Sequence, residues 1–283
     1  MSEMAKHPVP ENVEVIARAA LMEDVGTGDL TALVIPPSIR CDARVSVREH
    51  AVLCGIPWFE AVYRLIDREI SIDWHAADGD EVDAGFTICR LRGCARNLLT
   101  GERTALNFLQ TLSGTATVTR EYVRVLEGTR ARLLDTRKTI PGLRLAQKYA
   151  VVCGGGHNHR FGLYDAILIK ENHIAAAGSI GGAVRAARKA RTDVPVEVEV
   201  ESLDQVEEAL EAGAKMLLLD NLSIEQIREA VSRVAGRALL EASGGLDQSR
   251  LRQVAETGVD CISVGALTKH LRSIDMTMRV EMQ

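Results

Sequence analysis

From residue 131 onward the chain repeats one unit, a short apolar run followed by sequence with helical periodicity. The runs read ARLLD, AILIK (166–170), VEVEV (196–200), MLLLD (216–220), ALLEA (238–242) and CISVG (261–265). Between them, segments such as LDQVEEALEAG and SIEQIREAVSRVAG set apolar residues at i, i+3, i+4 and i+7, and Gly213 and Gly236 stand where helices should stop. Strands joined by helical connections pair in parallel. Six or seven such units, starting near residue 114, predict an α/β barrel, closed or incomplete, in preference to an open doubly wound sheet.

Before residue 114 the order changes. A helix over 12–23, strand-like RVSV (44–47), a helix in PWFEAVYRLID, strands EISID and FTICRLR on either side of a DGDEVDAG turn, and a long helix over 95–112 predict a separate α+β domain, 1–113. The DGDEVDAG turn has no lysine at its tip for modification and reads as a hairpin. After His270, Ile274, Met276, Met278, Val280 and Met282 alternate with polar residues, a period-2 strand expected to join the N-terminal sheet as 271–283. The barrel domain then spans 114–270.

Length and composition agree with this division. A chain of 283 residues, 46% hydrophobic, can bury a large core, and 4% aromatic content fits helix-rich α/β structure better than a β-sandwich. MSEMAKHPVPENVEV lacks the apolar stretch of a signal peptide and no run reaches the ~20 apolar residues of a membrane span, so a cytoplasmic protein is expected. The six cysteines contain no C-x-x-C pair and read as reduced core thiols, with neither a zinc site nor a disulfide framework.

The residues that carry chemistry follow the apolar runs, at the carboxyl ends of strands where α/β sheets and barrels bind ligands. Thr136, Arg137 and Lys138 follow Leu133-Leu134; His159 and Arg160 follow the triple glycine 154–156; Lys170 ends AILIK. In a chain of net charge −5 this local excess of cations predicts an anionic small-molecule substrate and argues against a nucleic-acid backbone. The triple glycine can turn backbone N–H groups toward a phosphate or carboxylate, or simply end a helix. His157 and His159 have no carboxylate or cysteine nearby in sequence to complete a zinc set. Lys170 has two readings, a point charge for an anion or a Schiff-base nucleophile.

In VEVEVE the glutamates share one strand face, pointing into the barrel or out to solvent on an edge strand. Buried, they need a cation, a metal or sugar hydroxyls as partners. Asp220 closes MLLLD as a lone strand-end carboxylate. Ser243-Gly244-Gly245 and Val264-Gly265-Ala266 end the last two units, where barrel loops bind phosphate through backbone N–H groups. Arg103, on the long helix, has no carboxylate at i±3 or i±4 and is available to a ligand or another subunit. A non-enzymatic sensor of phosphorylated ligands would fit these features as well as an enzyme.

EDVGTGDLT (23–31), ERTALNFLQTLSGTAT (102–117), DTRKTIPGLR (135–144), GGGHNHR (154–160), LIKENHI (168–174), EVE (197–199), LLLDN (217–221), SGG and VGA together resemble the quinolinate phosphoribosyltransferases, or carboxylating nicotinate-nucleotide pyrophosphorylases, over nearly the whole chain. The resemblance implies an N-terminal α/β hammerhead-like sandwich and a C-terminal open seven-stranded α/β barrel (TIM-like). It also implies a place in NAD biosynthesis: ribose 5-phosphate passes from phosphoribosyl pyrophosphate to quinolinate, giving nicotinate mononucleotide, CO2 and pyrophosphate with Mg2+. Lys138, Lys170, Glu199 and Asp220 inherit catalytic roles, with Glu199 and Asp220 as metal ligands, direct or through substrate or water. Substrate binding falls to Arg103, Thr136, Arg137, Lys138, His159, Arg160, Lys170, Glu199, Asp220, Ser243, Gly244, Gly245, Val264, Gly265 and Ala266. His157 inherits no role. The implied assembly is a homodimer or homohexamer in which Arg103 reaches a neighbour's site. A related pyrophosphorylase acting on another base, or an aldolase through Lys170, are the alternative activities.

Overall fold

The computed structural model describes residues 8–245 and 248–282; Met1 to His7, Leu246, Asp247, Gln283 and the side chains of Gln248 and Met282 lie outside the described residues. The chain divides into two compact units, one of Met1–Arg120, Thr139–Gly155 and Leu267–Gln283, the other of Glu121–Lys138 and Gly156–Ala266.

The first unit is built on a four-stranded antiparallel sheet. Its strands lie in the order Met276–Met282, Arg40–Val47, Thr87–Cys94 and Ser71–Trp74. Alternation in Arg40–Val47 turns Cys41, Ala43, Val45 and Val47 inward, while Asp42 outside accepts from Arg92 Nε across the sheet at 2.7 Å. The tail strand pairs antiparallel with it, Val45 opposite Met278, and buries Met276 and Met278 as the period-2 pattern requires. Val13–Val25 and Ile56–Ile66 are helices of this unit, and Trp58, Phe59 and Tyr63 lie at most 1% exposed in its core.

Two features differ from the sequence-based division. The long helix runs Ala95–Val125, well past residue 112. At Gly114, inside this helix, a Cβ would strike the Arg272 carbonyl oxygen, so the glycine serves a close backbone approach. The helix Arg144–Cys153 belongs to the first unit, although its motif opens the βα array. Its apolar face buries Ala146, Tyr149 and Ala150, and Tyr149 OH donates to Asp78 Oδ2 at 2.8 Å.

The second unit holds a parallel sheet in the order Arg132–Leu134, Cys261–Ser263, Leu239–Ser243, Met216–Asp220, Val196–Val200, Ile167–Ile169. The seventh strand expected from the family fold is reduced to one parallel bridge, His157 beside Leu134. No ladder joins that segment to Ile167–Ile169 among the described residues, so the barrel is open. Crossover helices begin at serine caps: Ser179, Ser202 and Ser223 accept from the amides of Gly182, Gln205 and Gln226, each cap contributing about 1 kcal/mol. Ile224–Val234 buries Ile227, Ala230 and Val234, the face its periodicity predicts. No helix among the described residues is long and apolar enough to cross a membrane.

Candidate active site

All strands of the second unit run in one direction, so the residues ending them collect at one rim. A cavity of roughly 250 Å3 opens there, lined by Thr136, Arg137, Lys138, His159, Arg160 and Lys170 together with Glu199, Asp220, Glu241, Ser243 and Ser263. Most of the residues singled out in sequence therefore share one space.

The cations differ in what holds them. Arg137, half-buried, lines the cavity, and its Nε is shielded from water without a hydrogen-bond partner. Lys138 is exposed; its amide donates to Thr136 Oγ1 at 3.1 Å, and its aliphatic stem crosses Gly265, where a Cβ would come within 2.9 Å of Lys138 Cδ. Arg160 donates to the Ala166 carbonyl at 3.2 Å, and burial, with Arg137 as a second cause, pulls its pKa below the usual arginine value. Two cations kept close despite mutual repulsion mark a site shaped for anions. Lys170 Nζ is bonded to Glu199 Oε2.

The glutamates of Val196–Val200 point into the barrel while Val198 and Val200 pack at 0% exposure on the other face. Glu199 meets Lys170, and Glu197, 4% exposed, lies 3.0 Å from His159 Nε2. The edge-strand alternative is thereby removed. Asp220 accepts from Asn221 Nδ2 at 2.8 Å; burial first, then the Glu199 charge, raise its carboxyl above the usual range.

The glycine loops also flank the strand ends. Ser243 pairs with Asp220 in the ladder, followed by Gly244 at φ 102° and Gly245 at φ 57°; a Cβ on Gly244 would run into Asn221. Val264 amide donates to the Leu134 carbonyl at 3.0 Å, and Ala266 starts the short helix Ala266–Lys269. Arg103 belongs to the other unit, where it is exposed beside a cleft lined by Asp24–Ile35 residues and Leu99–Glu102 residues; no ion pair holds it among the described residues.

Sequence reading placed Asp135 at a strand end and Glu197 on the glutamate face without assigning either a role, and passed over Glu241. Asp135 is fully buried and accepts from the His159 amide at 2.9 Å and from Asn158 Nδ2 at 2.6 Å, pinning the segment that carries His159 and Arg160. Glu197 and Glu241 converge on His159, which in sequence has no carboxylate beside it: the ligand atoms of the three lie within 4.8 Å of one another. A lone glutamate inside the apolar run ALLEA was the available signal. The geometry thus offers a hard-anion pocket with two rim carboxylates, suited to joining two anionic substrates.

Comparison with known proteins gives the same reading. The model of the quinolinate phosphoribosyl transferase N-terminal domain matches residues 29–113 and that of the C-terminal domain matches 115–279. The chain is 44% identical to a probable carboxylating nicotinate-nucleotide pyrophosphorylase of Bacillus subtilis, over 92% of this chain and 90% of that protein. It is 42% identical to the Mycobacterium leprae enzyme of that name, over 92% and 94%. The solved nicotinate-nucleotide pyrophosphorylase of Francisella tularensis superposes with TM-score 0.93 at 46% identity, covering 99% of this chain and 100% of that one. With both domains matched in order over a chain whose rim residues share one anion pocket, this protein belongs to the quinolinate phosphoribosyltransferase family.

Proposed function

We infer that the chain transfers ribose 5-phosphate from phosphoribosyl pyrophosphate to the ring nitrogen of quinolinate, releasing pyrophosphate and CO2 and forming nicotinate mononucleotide. The observation that carries this reading is the single cavity in which Arg137, Lys138, Arg160 and Lys170 meet Glu199 and Asp220. A dicarboxylate and a diphosphate repel each other, and four cations around one space offset that repulsion. Arg137 and Arg160 take the pyridine carboxylates, since guanidinium binds carboxylate bidentately, with His159 forming the wall beside them. Lys138 and Lys170 stand at the junction with the diphosphate. Thr136, the Ser243–Gly245 turn and the Val264–Ala266 turn receive the 5-phosphate through hydroxyl and backbone N–H groups.

Departure of pyrophosphate leaves positive charge at the anomeric carbon, which the Glu199 and Asp220 carboxylates stabilise electrostatically. Alkylation then makes the ring nitrogen cationic; as CO2 leaves, the electrons of the breaking bond stay on C2, stabilised by the adjacent positive nitrogen, and a proton from water adds there to complete nicotinate mononucleotide. Glu199 and Asp220 fit magnesium, a hard cation taking oxygen ligands, because the Asp220 carboxyl is raised in part by the Glu199 charge, as expected of two acids close enough to serve one cation. Held there, directly or through substrate and water, magnesium would supply neutralisation of the diphosphate charge. The Schiff-base alternative loses support because Lys170 is ion-paired with Glu199.

Three further points extend this reading. The active assembly is a dimer or hexamer with Arg103 completing a neighbour's site, supported by its exposed, unbridged position and by exposed Val15, Met22, Leu30, Leu33 and Val34 in the same unit. The functional division falls at 113/114, supported by the two family models meeting there, with tail 271–283 joining the first domain, supported by the pairing of Met276–Met282 with Arg40–Val47. The location is cytoplasmic, tested by cell fractionation. Activity is tested by incubating protein with quinolinate, phosphoribosyl pyrophosphate and Mg2+ and following nicotinate mononucleotide with equimolar CO2. Product from nicotinate in place of quinolinate, or none from quinolinate, would reject the assignment.

A further inference from the structure

Behind the cationic rim, buried acids converge on one imidazole. His159 Nε2 lies 3.0 Å from Glu197 Oε2 and 3.5 Å from Glu241 Oε2, and each carboxylate is 4% exposed. His159 Nδ1 accepts the Arg160 amide N–H at 2.7 Å, which leaves Nε2 as the nitrogen that carries the ring proton. Both ring nitrogens are thus engaged within the protein, and the imidazole is held rather than offered. Glu241 Oε1 is buried without a hydrogen-bond partner. Glu241, His159 and Arg160 line the upper cavity and also a second one of roughly 250 Å3 at the opposite end of the strands, between Pro195, Met216 and Leu239.

We propose that Glu197 and Glu241 are positioning residues for the carboxylate subsite: they hold the His159 ring, and through Nδ1 the Arg160 backbone, while a proton kept on Glu241 spares the bound dianion a second negative charge behind it. This rests on the assignment of quinolinate above. Two carboxylates facing one N–H in a buried layer do not both ionise cheaply. Burial first, then the Glu197 charge, push Glu241 up to about 7; His159 and a Ser263 hydrogen bond oppose the rise and Asp135 adds to it. From the strand Cys261–Ser263 the thiol of Cys261, itself pushed up to about 11, stays neutral over the same range. The charges facing Glu241 across the upper cavity are Arg137, Lys138, Arg160, Lys170, Glu199 and Asp220, and across the lower one Asp165. As pH rises through about 7, Glu241 loses its proton and the wall behind the anion site gains a negative charge.

The test is steady-state kinetics of the full chain between pH 6 and 9 for wild type, Glu241→Gln and Glu197→Gln, with the His159 tautomer read by nitrogen NMR without substrate. One uncompensated charge near a dianion predicts that the wild-type KM for quinolinate rises about tenfold over this range while kcat changes far less. In Glu241→Gln that rise disappears. In Glu197→Gln, where the neighbouring charge is gone, Glu241 ionises more readily and the inflection moves to lower pH. A KM rise that persists in Glu241→Gln, or an inflection unmoved in Glu197→Gln, overturns the proposal, as does an Nδ1–H tautomer in the folded wild type. Wild-type protein that makes no nicotinate mononucleotide at any pH rejects the substrate assignment instead, and the tautomer measurement still judges the hold on His159.

Discussion

Replacing Arg137 with alanine separates binding chemistry from structural support. Its Nε is buried without a partner, so truncation removes no intramolecular hydrogen bond at that atom, and it relieves the repulsion that helps lower Arg160. Folding stability should therefore change by less than about 1 kcal/mol. Catalysis should not be spared. A guanidinium gripping a carboxylate through two charge-assisted bonds, each contributing about 1.5–3 kcal/mol, loses about 3–6 kcal/mol on truncation, or about 150- to 25,000-fold in kcat/KM for quinolinate. Arg137→Lys retains charge but not the planar fork, so a loss of about 10- to 100-fold is expected. Initial rates against quinolinate at saturating phosphoribosyl pyrophosphate, beside urea melts of the same proteins, give both quantities. An Arg137→Ala enzyme within twofold of wild type in kcat/KM, or one destabilised by more than about 3 kcal/mol, would refute the reasoning.

Other expectations test the remaining parts. Mixing Arg103→Ala with Lys170→Ala protein should restore activity if sites are shared between subunits; no recovery despite demonstrated subunit exchange would exclude sharing. Gly244→Ala places an L residue at φ 102° and drives its Cβ into Asn221, so a loss of about 1–3 kcal/mol in stability is expected together with a raised KM for phosphoribosyl pyrophosphate. Asp78 is raised from 3.8 to about 6, chiefly by burial, opposed by hydrogen bonds from Tyr149, Ile56 and Gly55. A carboxyl whose folded pKa lies above its unfolded one adds stability below the unfolded value and loses it as pH climbs through the folded value. Stability relative to Asp78→Asn should then fall by up to about 3 kcal/mol between pH 4 and 7, and urea melts showing no such difference would count against the burial argument.

Much of the architecture is written in local pattern. Strand alternation at Ile274, Met276 and Met278 and the helical spacing of Ile227, Ala230 and Val234 depend only on which way successive side chains point, so both were legible before any contact was known. The same holds for strand-end residues: Thr136 to Lys138, Lys170 and Asp220 follow apolar runs, and parallel strands bring their ends to one rim. The long helix shows where local reading failed: expected over 95–112, it runs on to Val125 through Gly114, where the Arg272 carbonyl, distant in sequence, leaves no room for a Cβ.

What the sequence by itself determined was the βα array, the returning tail strand and the set of cations and rim carboxylates, all consequences of periodicity and chain direction. Only the tertiary structure decided which of them face one another. Sheet register and strand order bring Glu197, Glu241 and Asp135 around the segment of His159 and leave Arg137 Nε buried without a partner. Those pairings depend on distances across the barrel, where burial raises the cost of every unpaired charge, and no spacing along the chain records them.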